Sequence, residues 1–271
     1  MDELDERLYY EDSFLEEFDA EVVSCKEEGH YYKVALTETA FSPETSYLYS
    51  DVGTLNGTVR VIRATEEDGR VIHYTDQPVE VGSIVHGKID WEYRFDMMQQ
   101  HTAEHIVSGV IMTNFGYEQV YSKFTETEVA IVYHGPLSAE DLEYVERRAN
   151  EIVISNAVVE TRFPSKEELE SMAYRMDDVS EPVSRIVLIP DCDICACRGP
   201  HVMTTGEIGM IKITGSDYAD GVTQVTIISG HRALVDYHRK SAIVENLSKL
   251  FDAPEDQLVP QIKKLKEWIE A

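Results

Sequence analysis

Between residues 18 and 90, apolar side chains alternate with polar ones over short runs. Phe18–Cys25, His30–Glu38, Thr58–Thr65 and Arg70–Asp76 are rich in β-branched and aromatic residues, and Glu67-Asp68-Gly69 reads as a hairpin turn between the last two. Val81–Asp90 reads as a closing strand. Short strands, turn residues and no helical period predict a small β-barrel or sandwich.

The period changes after residue 90. Met97–Phe115 carries Met98, His101, Thr102, His105, Ile106, Gly109, Val110 and Thr113 on one face, which predicts a buried or half-buried helix stopped by Gly116. Ser138 and Asp141 stand at capping-box spacing before Leu142, Val145, Ala149 and Ile152, and the helix they open is expected to run to Asn156. Ser165 and Glu168 repeat the signal before a shorter helix reaching Tyr174. Strands are expected at Val129–Tyr133, Val158–Phe163, Ser184–Ile189, Ile208–Ser216 and Val222–Ser229. From Arg232 the helical period returns, Asp252-Ala253-Pro254 interrupts it, and Pro260 is placed in the first turn of a last short helix. The expected class is α+β, without strict strand–helix alternation. An N-terminal β-barrel (residues 1–90) precedes a central two-layer α+β domain (91–230) and a short helical C-terminal segment (231–271). Leu247, Leu250, Ile262, Leu265 and Ile269 form apolar stripes on that segment, which either pack on their own domain or join two chains as a homodimer.

Charge narrows the class of partner. The 271 residues carry 51 acids against 24 Lys and Arg, a formal net charge of −27. Such a field repels phosphate, which excludes non-specific coating of nucleic acid or anionic membrane; a nucleic-acid partner needs a local basic patch. No apolar run approaches the roughly 20 residues of a membrane span, so no membrane association is expected. The acidic start, MDELDERLYYED, has no secretory pattern, and a cytoplasmic protein is expected.

The candidate chemistry lies in histidines and cysteines. His101 and His105, at i and i+4 on one helix face, can reach one ion. Cys197-Arg198-Gly199-Pro200-His201 offers a thiolate and an imidazole from one turn. Either pair alone also fits a core histidine pair or a loop with a free thiol. Together they form a nitrogen–sulfur set that favours one tetrahedral Zn²⁺ per chain. Two other arrangements stay open. Cys192, Cys195, Cys197 and His201 would make a compact zinc knuckle. His101-Thr102-Ala103-Glu104-His105 also matches the H-x-x-E-H pattern of inverted zinc peptidases, with Glu104 as base.

Arg94-Phe95-Asp96-Met97-Met98-Gln99-Gln100-His101-Thr102-Ala103-Glu104-His105-Ile106 resembles the "R…M..HTA.HLL" helix of alanyl-tRNA synthetase editing domains and of the free-standing AlaX-type trans-editing proteins. Cys195-Ala196-Cys197-Arg198-Gly199-Pro200-His201-Val202, followed by Thr205-Gly206-Glu207-Ile208-Gly209, is similar to the family's "C.GTHV…TGEIG". Phe41-Ser42-Pro43-Glu44 with Asp51-Val52-Gly53 resembles its barrel segment, and Ile89-Asp90-Trp91 its "IDW". The resemblance implies a zinc-dependent aminoacyl-tRNA deacylase. Its metal ligands would be His101, His105, Cys197 and His201, and its substrate the acceptor end of alanine tRNA mischarged with serine or glycine. Glu104 and Thr102 are then candidate catalytic residues. Arg198 and Lys123 are candidate substrate-binding residues, with Lys212, Arg232, Arg239 and Lys240 as further cations for tRNA. The family's Gly-Gly-Gln turn is replaced here by Thr45-Ser46-Tyr47-Leu48, its VGFH segment by Val120-Tyr121-Ser122-Lys123, and the Thr before the last His by Pro200. These departures motivate an alternative, a non-catalytic zinc-containing module of the same fold that binds tRNA or a protein.

Overall fold

The computed structural model describes residues 5–176 and 185–270; Ser184, the expected start of one strand, lies outside them. A short strand β1 (Glu6–Arg7) and one helical turn α1 (Leu8–Glu11) lead into β2 (Glu17–Glu28) and β3 (Tyr31–Leu36). β4 (Glu38–Thr39) pairs in parallel with β1. β5 (Gly53–Leu55), β6 (Val59–Glu67), β7 (Arg70–Thr75) and β8 (Ile84–Ile89) follow. The ring runs β2-β3-β7-β6-β5-β8 and closes where β8 pairs back on β2. Period-two alternation fills it: Phe18, Val22, Val34, Leu36, Val61, Val71 and Val85 share one core while their neighbours face outward. The β6–β7 turn has Asp68 and Gly69 both at positive φ, as a type I′ hairpin requires. Within the barrel wall His73 is fully buried between Thr39 Oγ1 (2.8 Å) and the Val34 carbonyl (3.1 Å).

α2 (Trp91–Phe115) begins at Trp91 rather than Met97, because the Asp90 side chain caps it by accepting the Tyr93 N–H. Gly116 ends it in the left-handed region at φ 69°. Every residue from Met97 to Ile111 is buried, so α2 runs through the centre of its unit instead of lying on it. β9 (Gln119–Phe124) and β10 (Val129–His134) follow, then α3 (Ala139–Ser155) behind the Ser138–Asp141 capping box. Beyond β11 (Glu160–Arg162), α4 (Lys166–Ser171) has the expected Ser165–Glu168 box but stops at Ser171. β12 (Arg175–Met176), β13 (Ile186–Ile189) and β14 (Asp193–Ala196) precede a 3-10 turn at Thr205–Ile208, which displaces the expected start of β15 (Ile211–Ala219) from Ile208. With β16 (Val222–Ser229) the described residues form two four-stranded sheets, β15-β16-β10-β9 and β11-β13-β14-β12. Ile106 and Val110 of α2, Val145 and Ile152 of α3, and Ile131, Val225 and Ile227 of the first sheet share a core.

A buried ion pair joins the barrel to α2. The Arg94 guanidinium bonds to both oxygens of Asp51 and donates to the carbonyls of Ala40 (2.6 Å) and Ser13 (2.9 Å). Asp51 also accepts the Ser42 N–H, and its own N–H donates to the Ser42 carbonyl at 3.0 Å. The segment leaving the barrel at Ser42 therefore returns to the same point at Asp51.

The chain divides into two compact units, Met1–Gly230 and His231–Ala271. The second contains most of α5 (Gly230–Phe251) and all of α6 (Glu255–Glu270). Pro260 sits inside α6 rather than in its first turn, since the helix already starts after Pro254; lacking an N–H, Pro260 leaves the Asp256 carbonyl without its helical donor. Leu250, Ile262, Leu265 and Ile269 are exposed. Among the described residues no helix is long and apolar enough to cross a membrane.

Candidate metal centre

Helical spacing stacks His101 and His105 on one face of α2, their ring centroids 5.0 Å apart. The turn after β14 brings Cys197 and His201 against them. Cys197 Sγ lies 3.4 Å from His101 Nε2 and 3.3 Å from His201 Nε2, and one donor atom from each of the four residues lies within 4.8 Å of all the others. A tetrahedral ion with bonds of about 2.0–2.3 Å holds its ligand atoms roughly 3.3–3.7 Å apart, so the donor set fits one. All four side chains are buried.

The outward nitrogen of each ring is fixed. His101 Nδ1–H donates to the Pro200 carbonyl at 3.1 Å. His105 Nδ1 meets Asp193 Oδ2 at 3.0 Å, and Arg175 holds that carboxylate from behind at 2.9 Å. His201 Nδ1 lies 3.1 Å from Thr102 Oγ1. The Thr102 hydroxyl gives its hydrogen to the Met98 carbonyl (2.9 Å), so towards His201 it accepts. Each Nδ1 thus carries the proton and each Nε2 keeps the lone pair that binds a metal. Burial, then the neighbouring His101 and His105, holds His201 well below the usual imidazole range, in the neutral form a ligand needs. Burial works to raise the Asp193 carboxyl, but His105 and Arg175 outweigh it, and the group sits below its ordinary value.

The turn carrying Cys197 is held by a buried cation. Arg185 donates to the carbonyls of Cys197 (2.9 Å) and Gly199 (2.8 Å). Burial pulls Arg185 below its usual value, opposed by the charge of Cys197. Gly199 is required here by contact: a Cβ on it would stand 2.6 Å from His101 Cε1 and 2.8 Å from Leu48 Cδ2. Cys192 and Cys195 stay outside the foursome. Cys195 is buried beside His105 and Asp193, and the Cys192 thiol, 3.5 Å from the Ile106 carbonyl, is pushed up to about 12 by burial and by Asp193. The compact knuckle is therefore not formed: two of the four converging ligands come from α2 instead. The groups that converge on the inward nitrogens of His101 and His105 are Cys197 and His201, while the one distal carboxylate in contact, Asp193, sits on the outward Nδ1 of His105 and not in the foursome where an inverted peptidase would use it.

The match to known proteins follows the same residues. Residues 184–227 match the model for the threonyl and alanyl tRNA synthetase second additional domain, which contains Cys197 and His201. The alanine–tRNA ligase of Pyrococcus furiosus is 32% identical over 97% of this chain, that of Thermofilum pendens 34% over 97%, and that of Halobacterium salinarum 35% over 84%. The chain is a relative of the alanyl-tRNA synthetases. It spans 30% of the length of the first two ligases and 26% of the third, so the likeness is to one segment of each.

In this alanyl-tRNA synthetase relative the other expected site residues lie outside the four-residue ligand set. Thr102, expected as a catalytic group, is fully buried with its hydroxyl committed to Met98, His201 and the Val202 N–H, so the contacts it makes orient a ligand. Glu104 is buried on α2 outside the ligand set and accepts a hydrogen bond from Ser108 (3.0 Å), which in turn meets the Tyr133 hydroxyl (2.8 Å). Burial, then the charge of Glu104, raises Tyr133 well above its ordinary value, so it stays a phenol. Lys123 is exposed on β9, at a cavity shared with residues 44–49. Arg198 lies on the metal turn 3.8 Å from Glu66. Lys212 pairs with Glu146, and Arg239 and Lys240 both pair with Asp236, so these three do not present isolated positive charge. Asp193, Arg175 and Arg185 were not expected; they act through contacts made only in the folded chain, and no local motif marks them.

Proposed function

We propose that this chain is a zinc-dependent hydrolase that acts in trans on alanine tRNA mischarged with serine or glycine and cleaves the aminoacyl ester. The observation that carries the reading is the convergence of His101, His105, Cys197 and His201 in a chain similar to alanine–tRNA ligases along 97% of its length. Three neutral imidazoles and a thiolate suit Zn²⁺, one ion per chain. When bound, the ion supplies Lewis-acid polarisation of an ester oxygen or of water.

The chain's own residues do the positioning. Pro200, Asp193 and Thr102 keep the three Nε2 atoms aimed inward. Glu104 is a buried carboxylate of the histidine-bearing helix and takes the role of proton holder in ester cleavage. Lys123 and Arg198 supply charge for the phosphates of the acceptor end, since a chain of net charge −27 needs local cations to meet tRNA. An aminoacyl ester is reactive enough that alignment contributes a large share of the acceleration. The reading places the protein in the cytoplasm, where its substrate is made, with the exposed apolar stripes of α5 and α6 joining two chains. Seryl- and glycyl-charged alanine tRNA should lose their amino acid faster with zinc-loaded protein and not with His101→Ala. Equal lifetimes with and without the wild-type protein would reject the activity.

A second reading is favoured by the closure of the cluster, which has four protein ligands, all buried, and a tyrosine lying against it. Structural zinc sites are closed in this way, whereas catalytic ones keep a position open. A non-catalytic zinc module would bind tRNA or a protein and leave the ester lifetime unchanged.

A further inference from the structure

One side of the cluster is faced by a loop, not by helix or sheet. The Tyr47 hydroxyl lies 3.9 Å from Cys197 Sγ. The Tyr47 ring stands 6.0 Å from the His101 ring and 6.2 Å from Phe124, and Phe124 itself is edge-on to His101 at 5.8 Å. Leu48 closes the space beside it, against the surface that Gly199 leaves bare. Thr45 holds this tip in shape, its hydroxyl accepting the Leu48 N–H at 2.9 Å. The same residues line a cavity of about 190 Å³, formed by residues 44–49 with Lys123 and Phe124, and none of the four ligands lines it. It offers a carboxylate from Glu44, an ammonium from Lys123 and the hydroxyls of the loop, a lining suited to a small polar or zwitterionic group. Tyr47 belongs to both places: it lines the cavity and touches the metal ligands.

We infer that Tyr47 is a specificity-determining residue, whose ring separates this cavity from the metal and sets the size of the group that can reach it. The inference rests on the four residues holding a metal, and it does not require that the ester be cleaved. A ligand can bind the ion only in molecules whose ring has moved aside, and its apparent affinity falls by that fraction. The ring, more than its hydroxyl, does this, because its contacts are to the faces and edges of His101 and Phe124.

The test uses the full chain reconstituted with Co²⁺, whose visible absorption reports a new ligand. Wild type, Tyr47→Phe, Tyr47→Leu and Tyr47→Ala are titrated with azide and with the bulkier imidazole, after melting curves show that each is folded. If the ring is displaced in a tenth of molecules or fewer, Tyr47→Ala binds both probes at least about tenfold more tightly than wild type, with the larger gain for imidazole. Tyr47→Leu falls between, so the trend survives even if the alanine variant does not fold. Tyr47→Phe stays with wild type. Affinities within about twofold across the series would overturn the inference, as would Tyr47→Phe behaving like Tyr47→Ala. Failure of the wild type to bind one Co²⁺ would remove the metal reading itself, and this outcome is distinct from a metal site to which all four proteins give equal access.

Discussion

Replacing Thr102 by valine keeps the shape of the side chain and removes one oxygen. That oxygen accepts from His201 Nδ1 (3.1 Å) and from the Val202 N–H (3.3 Å), and its hydrogen goes to the Met98 carbonyl. The carbonyl keeps its helical partner, so it loses little. The two N–H groups are left buried, and an unpaired buried donor costs about 1–3 kcal/mol, or about 2–6 kcal/mol for both. Only the His201 share bears on the metal. Loss of a partner that orients a ligand weakens metal binding about 10–100-fold, equivalent to about 1.4–2.8 kcal/mol. Competition for zinc against a chromophoric chelator measures the affinity, and denaturant melts of the metal-free protein measure the remainder. Thr102→Ser returns the hydroxyl and should recover most of both losses. A valine variant with wild-type zinc affinity but no deacylase activity would refute the reasoning, because Thr102 would then be acting on the substrate.

Three further outcomes follow from the same structure. Burial pushes His73 down to about 4, from an ordinary 6.5, so the folded state keeps it neutral. Its contribution is complete above pH 6.5 and is lost as pH falls from 6.5 to 4, where the unfolded chain binds a proton that the folded one does not; the loss is about 3 kcal/mol. Urea melts across that window should show the acid loss in wild type and a flatter profile in His73→Gln, and identical profiles would contradict the assignment. Arg94→Met strands the buried Asp51 carboxylate and should cost about 3–5 kcal/mol in denaturant melts, with part recovered by adding Asp51→Asn. Gly199→Ala places a methyl 2.6 Å from His101 Cε1, an overpacking cost of about 1–3 kcal/mol that should register as weaker zinc binding in the chelator assay, and unchanged affinity would count against so close an approach.

Those elements that carry a one-sided pattern could be read from the chain. The barrel strands alternate because only their inner faces are buried, and α3 and α4 announce themselves through serine–acid boxes. β9 escaped notice because Val120 and Tyr121 are both exposed, so the strand has no alternation to detect. The start of α2, Trp91–Asp96, lies ahead of the apolar face that begins at Met97, and its cap depends on a single Asp90 contact that no period marks. β14 is four residues long and buries Asp193 and Cys195 rather than β-branched apolar residues, so no strand pattern marks it. At the centre, each ligand pair is local, four residues apart, and the resemblance quoted both. Asp193 reaches His105 across 88 positions and Arg185 reaches the turn of Cys197 from the residue before β13, so neither contact leaves a periodic trace.

The mutual hydrogen bonds of Ser42 and Asp51 make a neck, and Arg94 clamps it to the helix that bears the histidines. Residues 43–50 hang from that neck as a cassette whose tip rests on the cluster. Its ends are fixed by backbone groups, by the Asp51 carboxylate and by the Ser50 hydroxyl, which accepts the Ala64 N–H, all independent of the tip's side chains at 45–48. Evolution or an engineer can therefore exchange the tip without re-registering the barrel, and chimaeras carrying other relatives' residues at 45–48 offer a direct way to change what reaches the cluster.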